Sequence, residues 1–233
     1  MMKRVCILGN GPLSQNYSEF IDSSDIVIRI NDCKNYGNLG GEKIDYLFVT
    51  NTGLVVRQIL YNLSLINNEP FLKLKKIFIV RNLKSHSEHL ELVKKSELKS
   101  RYLLDYTAEI IQSFRSSASK IESLSYNFNK NVFDNINYFP LIILTRYIFL
   151  DPKVRRHFSV KNLMRRFYYK RKFLMPSTGM FTIIYTIEKI MKAGDELHLF
   201  GFTFEGWHGH AWAVERALCN ELVKLKKLNF HDH

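Results

Sequence analysis

The sequence predicts a single α/β domain of Rossmann-like type, a mostly parallel sheet flanked by helices, and three observations carry that expectation. Short, continuously apolar, β-branched runs recur in the first eighty residues, the pattern of strands buried on both faces. Segments with helical spacing separate them, as parallel strands require a crossover connection. A chain of 233 residues suits one large core better than two small ones.

The elements follow in order. Arg4–Leu8, Asp25–Ile30 and Tyr46–Thr50 read as strands, with a short helix over Ser14–Ile21, capped by Ser14, between the first two. Leu54–Asn67 is helical and Lys76–Val80 is a further strand. Ser85–Ser125 is charged and helical in pattern, whereas Tyr126–Tyr138, rich in Asn and Phe, reads as irregular loop. The last third gives a helix over Gly179–Lys192, a strand over Glu196–Phe200 and a closing helix over Ala211–Lys227. Residues 1–233 are thus expected to form one catalytic-sized domain.

Composition narrows the partners. With 46% hydrophobic and 24% charged residues, neither a disordered nor a fibrous chain is credible. The 34 Lys and Arg against 22 Asp and Glu point to an anionic partner. The excess is local: Lys153–Lys172 holds nine cations and no acid, interleaved with Phe158, Leu163, Met164, Phe167 and Tyr168. Residues 151–175 are therefore expected to be a lid or a contact with an anionic membrane surface. No nucleic-acid module is recognisable. Cys6, Cys33 and Cys219 lack metal-ligand spacing and are expected as free thiols in a reducing, cytoplasmic setting, at the inner membrane face; no stretch is expected to span the membrane.

Three segments carry chemistry. Gly9-Asn10-Gly11-Pro12-Leu13-Ser14 follows the first strand as a nucleotide-type turn, whose glycines would let backbone N–H groups approach a phosphate. The dinucleotide fingerprint is incomplete, since Ser14 stands where a third glycine belongs and the second strand ends in Asn31, not an acid. Asn10 and Asn31 instead place two amides at the carboxyl edge of the sheet, either as ligand contacts or as turn residues. Pro176-Ser177-Thr178-Gly179-Met180 opens a helix and suits an anion or an ordinary cap. The glycine-loosened stretch from Gly201 to Glu215 contains His208 and His210, side chains suited to proton transfer near neutral pH.

In order and in kind these segments resemble the sialyltransferases, glycosyltransferase family 29, as a short bacterial-type member. Arg4–Gly11 with Asp25-Ile26-Val27-Ile28-Arg29-Ile30-Asn31 and a later Gly41-Glu42-Lys43-Ile44-Asp45 is similar to the family's large motif. Pro176–Met180 through Asp195–Phe202 is similar to the small motif, and His210-Ala211-Trp212-Ala213-Val214-Glu215 has the His-x-x-x-x-Glu form of the very small motif. The matched parts are about residues 3–50 and 175–222.

The resemblance implies the sialyltransferase variant of the GT-A fold and a transferase taking a 2-keto acid sugar, sialic acid, from its CMP donor to a glycan hydroxyl. By it Gly9, Asn10, Gly11 and Asn31 would hold the nucleotide, Ser177, Thr178 and Gly179 would contact the donor, and His210 would be the general base, with Glu215 structural. His208 would stand in for the family's separate phosphate-stabilising histidine, in an interval compressed to a few residues. The family's disulfide is not expected, because no cysteine lies near Ser177. A monophosphate leaving group needs a base and anion donors but no divalent ion, and the chain has no Asp-x-Asp for one, so no cofactor or metal is expected. Transfer of Kdo from CMP-Kdo to surface polysaccharide is the alternative enzyme reading, and the acceptor could be lipid-linked. From charge alone the chain could be a non-catalytic nucleotide- or nucleic-acid-binding domain, which leaves His210 and Asn31 unexplained.

Overall fold

The structure, a computed structural model, describes residues 2–64, 74–93, 104–114, 120–137, 174–206, 210–225 and 228–231. Seven strands form one sheet in the order β5-β4-β3-β2-β1-β6-β7, every pair parallel. They are β1 (Arg4–Leu8), β2 (Ile26–Ile30), β3 (Tyr46–Val49), β4 (Lys76–Ile79), β5 (Ile121–Ser123), β6 (Glu196–Phe200) and β7 (Asn229–Phe230). The helices are α1 (Ser18–Asp22), α2 (Val55–Ser64), α3 (Leu83–Val93), α4 (Thr107–Ser113), α5 (126–137), α6 (Thr178–Tyr185) and α7 (Trp212–Lys224). The predicted α/β class and all five predicted strands are present.

Alternation within buried strands divides the core. Val5 and Ile7 of β1, with Ile28, Phe48, Phe78 and Leu199, pack on the face that carries α5 and α6. Their neighbours Cys6 and Leu8, with Val27 and Phe200, face α1 through Ile21, while Leu47, Val49 and Ile77 meet α2 and α4 on the same side. Two-sided burial explains why the central strands carry no polar alternation. Helices on both faces make the three-layer arrangement in which ligands lie at the carboxyl ends of the strands.

Carboxylates pin the strand starts. Asp25 accepts the Arg4 N–H at 2.8 Å, Asp45 accepts the Val27 N–H at 2.9 Å, and Asp195 accepts the Lys3 and Lys192 N–H groups at 3.0 and 2.8 Å. The acids of the large-motif pattern thus fix register between neighbouring strands.

The structure corrects four expectations. The segment 126–137 is a helix, not a loop. Phe128, Val132, Phe133 and Ile136 recur at helical spacing and are buried, and that burial outweighs the modest helix preference of the asparagines between them. Ser125 caps it, its hydroxyl accepting the Phe128 N–H at 3.2 Å. Helix α1 starts at Ser18, where Asn16 Oδ1 accepts the Ser18 N–H at 2.9 Å, so Ser14 is not its cap. The stretch expected to be all helical up to Ser125 contains the short strand β5, tied to β4 through an ion pair between Glu122 and Lys76. Beyond the closing helix lies a further strand, β7. The helix from Thr178 also passes into a π turn over Thr186–Ile190.

The three cysteines are free and buried, and burial pushes the Cys6 thiol up to about 11 and the Cys33 thiol up to about 12. Among the described residues no helix is long and apolar enough to cross a membrane. The basic segment Lys153–Lys172, and with it the expected lid or membrane contact at residues 151–175, lies outside the described residues.

Candidate active site

A cleft of about 340 Å³ opens at the carboxyl ends of β1, β2 and β6, against the amino terminus of α6. Gly9, Asn10, Gly11, Asn31, Ser177, Thr178, Gly179 and His210 all line it, although they come from opposite ends of the chain. Among the predicted site residues, His208 alone lies outside the described residues.

The glycine turn is built differently from the expected phosphate cradle. The Gly9 N–H donates to the Phe200 carbonyl at 2.8 Å and the Gly11 N–H to the Gly201 carbonyl at 2.9 Å, so both amides tie β1's loop to that of β6. A Cβ on Gly9 or Gly11 would sit 2.5 or 2.7 Å from the Gly201 oxygen. Glycine stands there because two backbones touch, and Gly201 answers from the other side in a left-handed conformation, φ 64°. Asn35 clasps the turn, its Nδ2 donating to the Gly9 and Gly11 carbonyls at 2.8 and 2.7 Å.

Asn35 is in turn held by Arg29. The Arg29 side chain is fully buried and its guanidinium donates to four carbonyls, those of Lys43, Asn35, Gly40 and Gly41, at 2.7–3.0 Å. Burial lowers its pKa from the ordinary value, yet a guanidinium keeps its charge. The arginine of the large-motif pattern is therefore the brace of the 35–43 loop, one step removed from the cleft.

The two asparagines are partly engaged already. Asn10 Nδ2 donates to Asp32 at 2.7 Å and its Oδ1 accepts the Lys34 N–H at 3.2 Å, while Asn62 from α2 donates to the other Asp32 oxygen at 2.8 Å. Asn31 adopts φ 52°, a conformation asparagine tolerates, and its Oδ1 accepts the Thr50 N–H at 3.0 Å. Its Nδ2 is the group it can offer a ligand.

At the opposite wall, Ser177 is the cap of α6. Its hydroxyl accepts the Met180 N–H at 3.1 Å and donates to Glu215 Oε2 at 2.6 Å, while its backbone N–H donates to Glu215 Oε1 at 2.8 Å. The hydroxyl expected to touch the donor is thus engaged in holding the helix start. The amides of Thr178 and Gly179, the first two of the helix, have no intrahelical acceptor and carry the positive end of its dipole. Burial raises the Glu215 carboxyl to about 7, against the opposing pull of the Ser177 bonds and of Arg81.

His210 sits beside this wall. Its backbone bridges Met175, and its Nδ1 donates to the Met175 carbonyl at 2.8 Å. That bond selects the Nδ1–H tautomer and leaves the basic lone pair on Nε2. Burial, and secondarily the nearby positive Arg81, push the imidazole down to about 4, so it is neutral at physiological pH.

Sequence reading missed Arg81 and Lys34. Arg81 is buried behind the α6 terminus, donates from Nη2 to the Pro176 carbonyl at 2.6 Å and packs 4.6 Å from the Phe181 ring centroid. Lys34 lines the cleft, three positions after Asn31. The signal was available for both. Arg81 follows β4 much as Asn31 follows β2, at the edge where α/β ligands sit.

Comparison with known proteins places the chain in a family. The family model described as glycosyltransferase family 29 (sialyltransferase) matches residues 2–214. The urease operon 23 kDa accessory protein of Rhizobium meliloti (strain 1021) is 24% identical over 225 residues, 96% of this chain and 90% of that protein. A crystal structure of a mammalian sialyltransferase superimposes with a TM-score of 0.51 at 18% identity, covering 98% of this chain and 68% of the other. The mammalian sialyltransferase in complex with Gal-β-1-3GalNAc-ortho-nitrophenol gives a TM-score of 0.50 at 18% identity, with 98% and 69% covered. At such identities the structures establish a shared fold, and the family match spans nearly the whole chain. The chain belongs to glycosyltransferase family 29, the sialyltransferases, and is a CMP-sugar-dependent glycosyltransferase.

Proposed function

We propose that the enzyme transfers sialic acid from CMP-sialic acid to a hydroxyl of a glycan acceptor in one displacement that inverts the anomeric centre, with no metal ion. One observation carries the reading: His210 is held by the Met175 carbonyl in the tautomer that leaves Nε2 basic, in the same cleft as the α6 amides. Nε2 takes the acceptor's proton as its oxygen attacks the anomeric carbon, and the bond to the CMP phosphate breaks with its electron pair leaving on CMP. The amides of Thr178 and Gly179, the helix dipole and Lys34 supply positive charge for that phosphate, the role a divalent ion plays in diphosphate donors. Asn31 Nδ2 and the loops of β1 and β6 hold the nucleotide.

The test is donor choice. CMP release with CMP-sialic acid, CMP-Kdo and a uridine-sugar donor should favour CMP-sialic acid and persist in EDTA. Asn31→Asp keeps the oxygen that Thr50 uses and removes the donor, so it should weaken CMP about 5–150-fold with an unchanged circular dichroism spectrum. UMP binding as tightly as CMP would remove the cytidine assignment, preference for CMP-Kdo would replace the sugar, and loss of turnover in EDTA would remove the metal-free mechanism.

The nine cations and interleaved aromatics of Lys153–Lys172 support a further part of this reading: the enzyme works at an anionic membrane on a lipid-linked acceptor. Sedimentation with anionic vesicles should fall as salt rises. Equal binding to neutral vesicles would contradict it.

A further inference from the structure

A second groove of about 570 Å³ lies beside the donor cleft, between the β1 loop, α7 and β7. The two share one wall, the segment Phe202-Thr203-Phe204-Glu205. We propose that this groove is an oligosaccharide subsite, holding the sugars of the acceptor that lie beyond the ring receiving sialic acid; the proposal rests on the glycan-acceptor reading above.

The wall is built in a way that a spacer would not need. Phe204 adopts φ 53°, a left-handed conformation rare for a bulky side chain, and such backbone persists only where the surroundings fix it. Arg216 of α7 does so from outside, its Nη2 donating to the Thr203 carbonyl at 2.6 Å and its guanidinium lying 5.7 Å from the Phe204 ring centroid. Phe204 is then flanked by Phe202 at 6.1 Å and by Phe230 at 5.7 Å between centroids, the latter edge to face.

Three rings from two segments of chain, Phe202 and Phe204 from one and Phe230 from the other, thus line a groove whose polar side chains include Glu205, Asn220 and Arg216. A pyranose presents the matching chemistry, an apolar C–H face for an aromatic ring and hydroxyls for a carboxylate, an amide and a guanidinium. The mixed signs of Glu205 and Arg216 disfavour a polyanion. Position completes the argument: Glu205 and Phe204 border both spaces, so a chain whose terminal hydroxyl meets His210 can extend over them into the groove.

The test uses Asn220→Trp, which fills the groove from an exposed position on α7 that does not itself line the donor cleft. Acceptors of one ring (methyl β-galactoside), two (Gal-β-1-3GalNAc-ortho-nitrophenol) and four (a galactose-terminated tetrasaccharide) are compared with the native enzyme. The native KM should fall with acceptor length. The variant should raise the tetrasaccharide KM tenfold or more, leaving the one-ring KM and the acceptor-independent release of CMP unchanged. An unchanged tetrasaccharide KM in the variant overturns the subsite. If no acceptor turns over, the transfer reading fails on its own and equilibrium binding decides the groove: saturable tetrasaccharide binding lost in Asn220→Trp supports it, and no binding to the native protein overturns it.

Discussion

His210→Ala is expected to lower turnover about 10²–10⁴-fold while CMP binds as before, the usual contribution of a positioned general base. The backbone bridge between residues 175 and 210 does not need the imidazole, so the loop should keep its place. The pH dependence distinguishes a base from a merely packed ring. In the free enzyme the imidazole loses its proton near pH 4, because burial and Arg81 both oppose its positive form. The acid limb of kcat/KM should therefore lie near 4, well below the ordinary histidine value of about 6.5. Bound donor brings a negative phosphate into the cleft and favours the imidazolium, so the limb of kcat should lie higher than that of kcat/KM. Both limbs should disappear in His210→Ala. Their persistence, or loss of turnover in His208→Ala with His210→Ala active, would move the base to His208.

Arg29→Met is expected to cost about 3–5 kcal/mol of folding stability, since several carbonyls lose a charged donor and each buried acceptor left unsatisfied costs about 1–3 kcal/mol. Four carbonyls would lose their donor together, and no water-exposed route replaces a side chain that is 0% exposed. Against a typical total of about 5–15 kcal/mol this is a large fraction. The urea midpoint should fall by roughly 2 M at an m-value of about 2 kcal/mol/M. Arg29→Lys should rescue little, since one ammonium cannot span the fork that reaches residues 35, 40, 41 and 43. A loss under about 1 kcal/mol would show that water fills the brace adequately.

Much of the fold was legible because the strands are buried on both faces. Arg4–Leu8 and Glu196–Phe200 are apolar runs bounded by turn residues, and their limits agree with the sequence reading. The 126–137 helix was hidden because its asparagines are structural. Asn129 accepts the Asn82 N–H at 3.3 Å and Asn137 pairs with both backbone groups of Leu174, so residues that read as loop tie a buried helix to the strand edge. The strands β5 and β7, of three and two residues, have too little sequence for a period to show. In the site, residue types and order were readable, but the direction of each polar group was not. Nothing in Gly9-Asn10-Gly11 says that its amides face Gly201 and Phe200, or that Ser177 is held by a glutamate 38 positions away. Those bonds depend on which segments the topology brings side by side.

The position of β1 also governs how the molecule can be assembled. β1 lies between β2 and β6, so its second row of hydrogen bonds is completed by a strand that begins at Glu196. During synthesis, one edge of β1 waits until Glu196–Phe200 has been made. The contact between the β1 and β6 loops, which helps to shape the candidate cleft, is among the last that can form. Such long-range parallel pairing is intrinsically slow and leaves an apolar edge exposed meanwhile, in the run Val5–Leu8. Chains truncated before Glu196 should accordingly aggregate, and none should acquire a partial donor site: catalytic competence arrives with closure of the sheet.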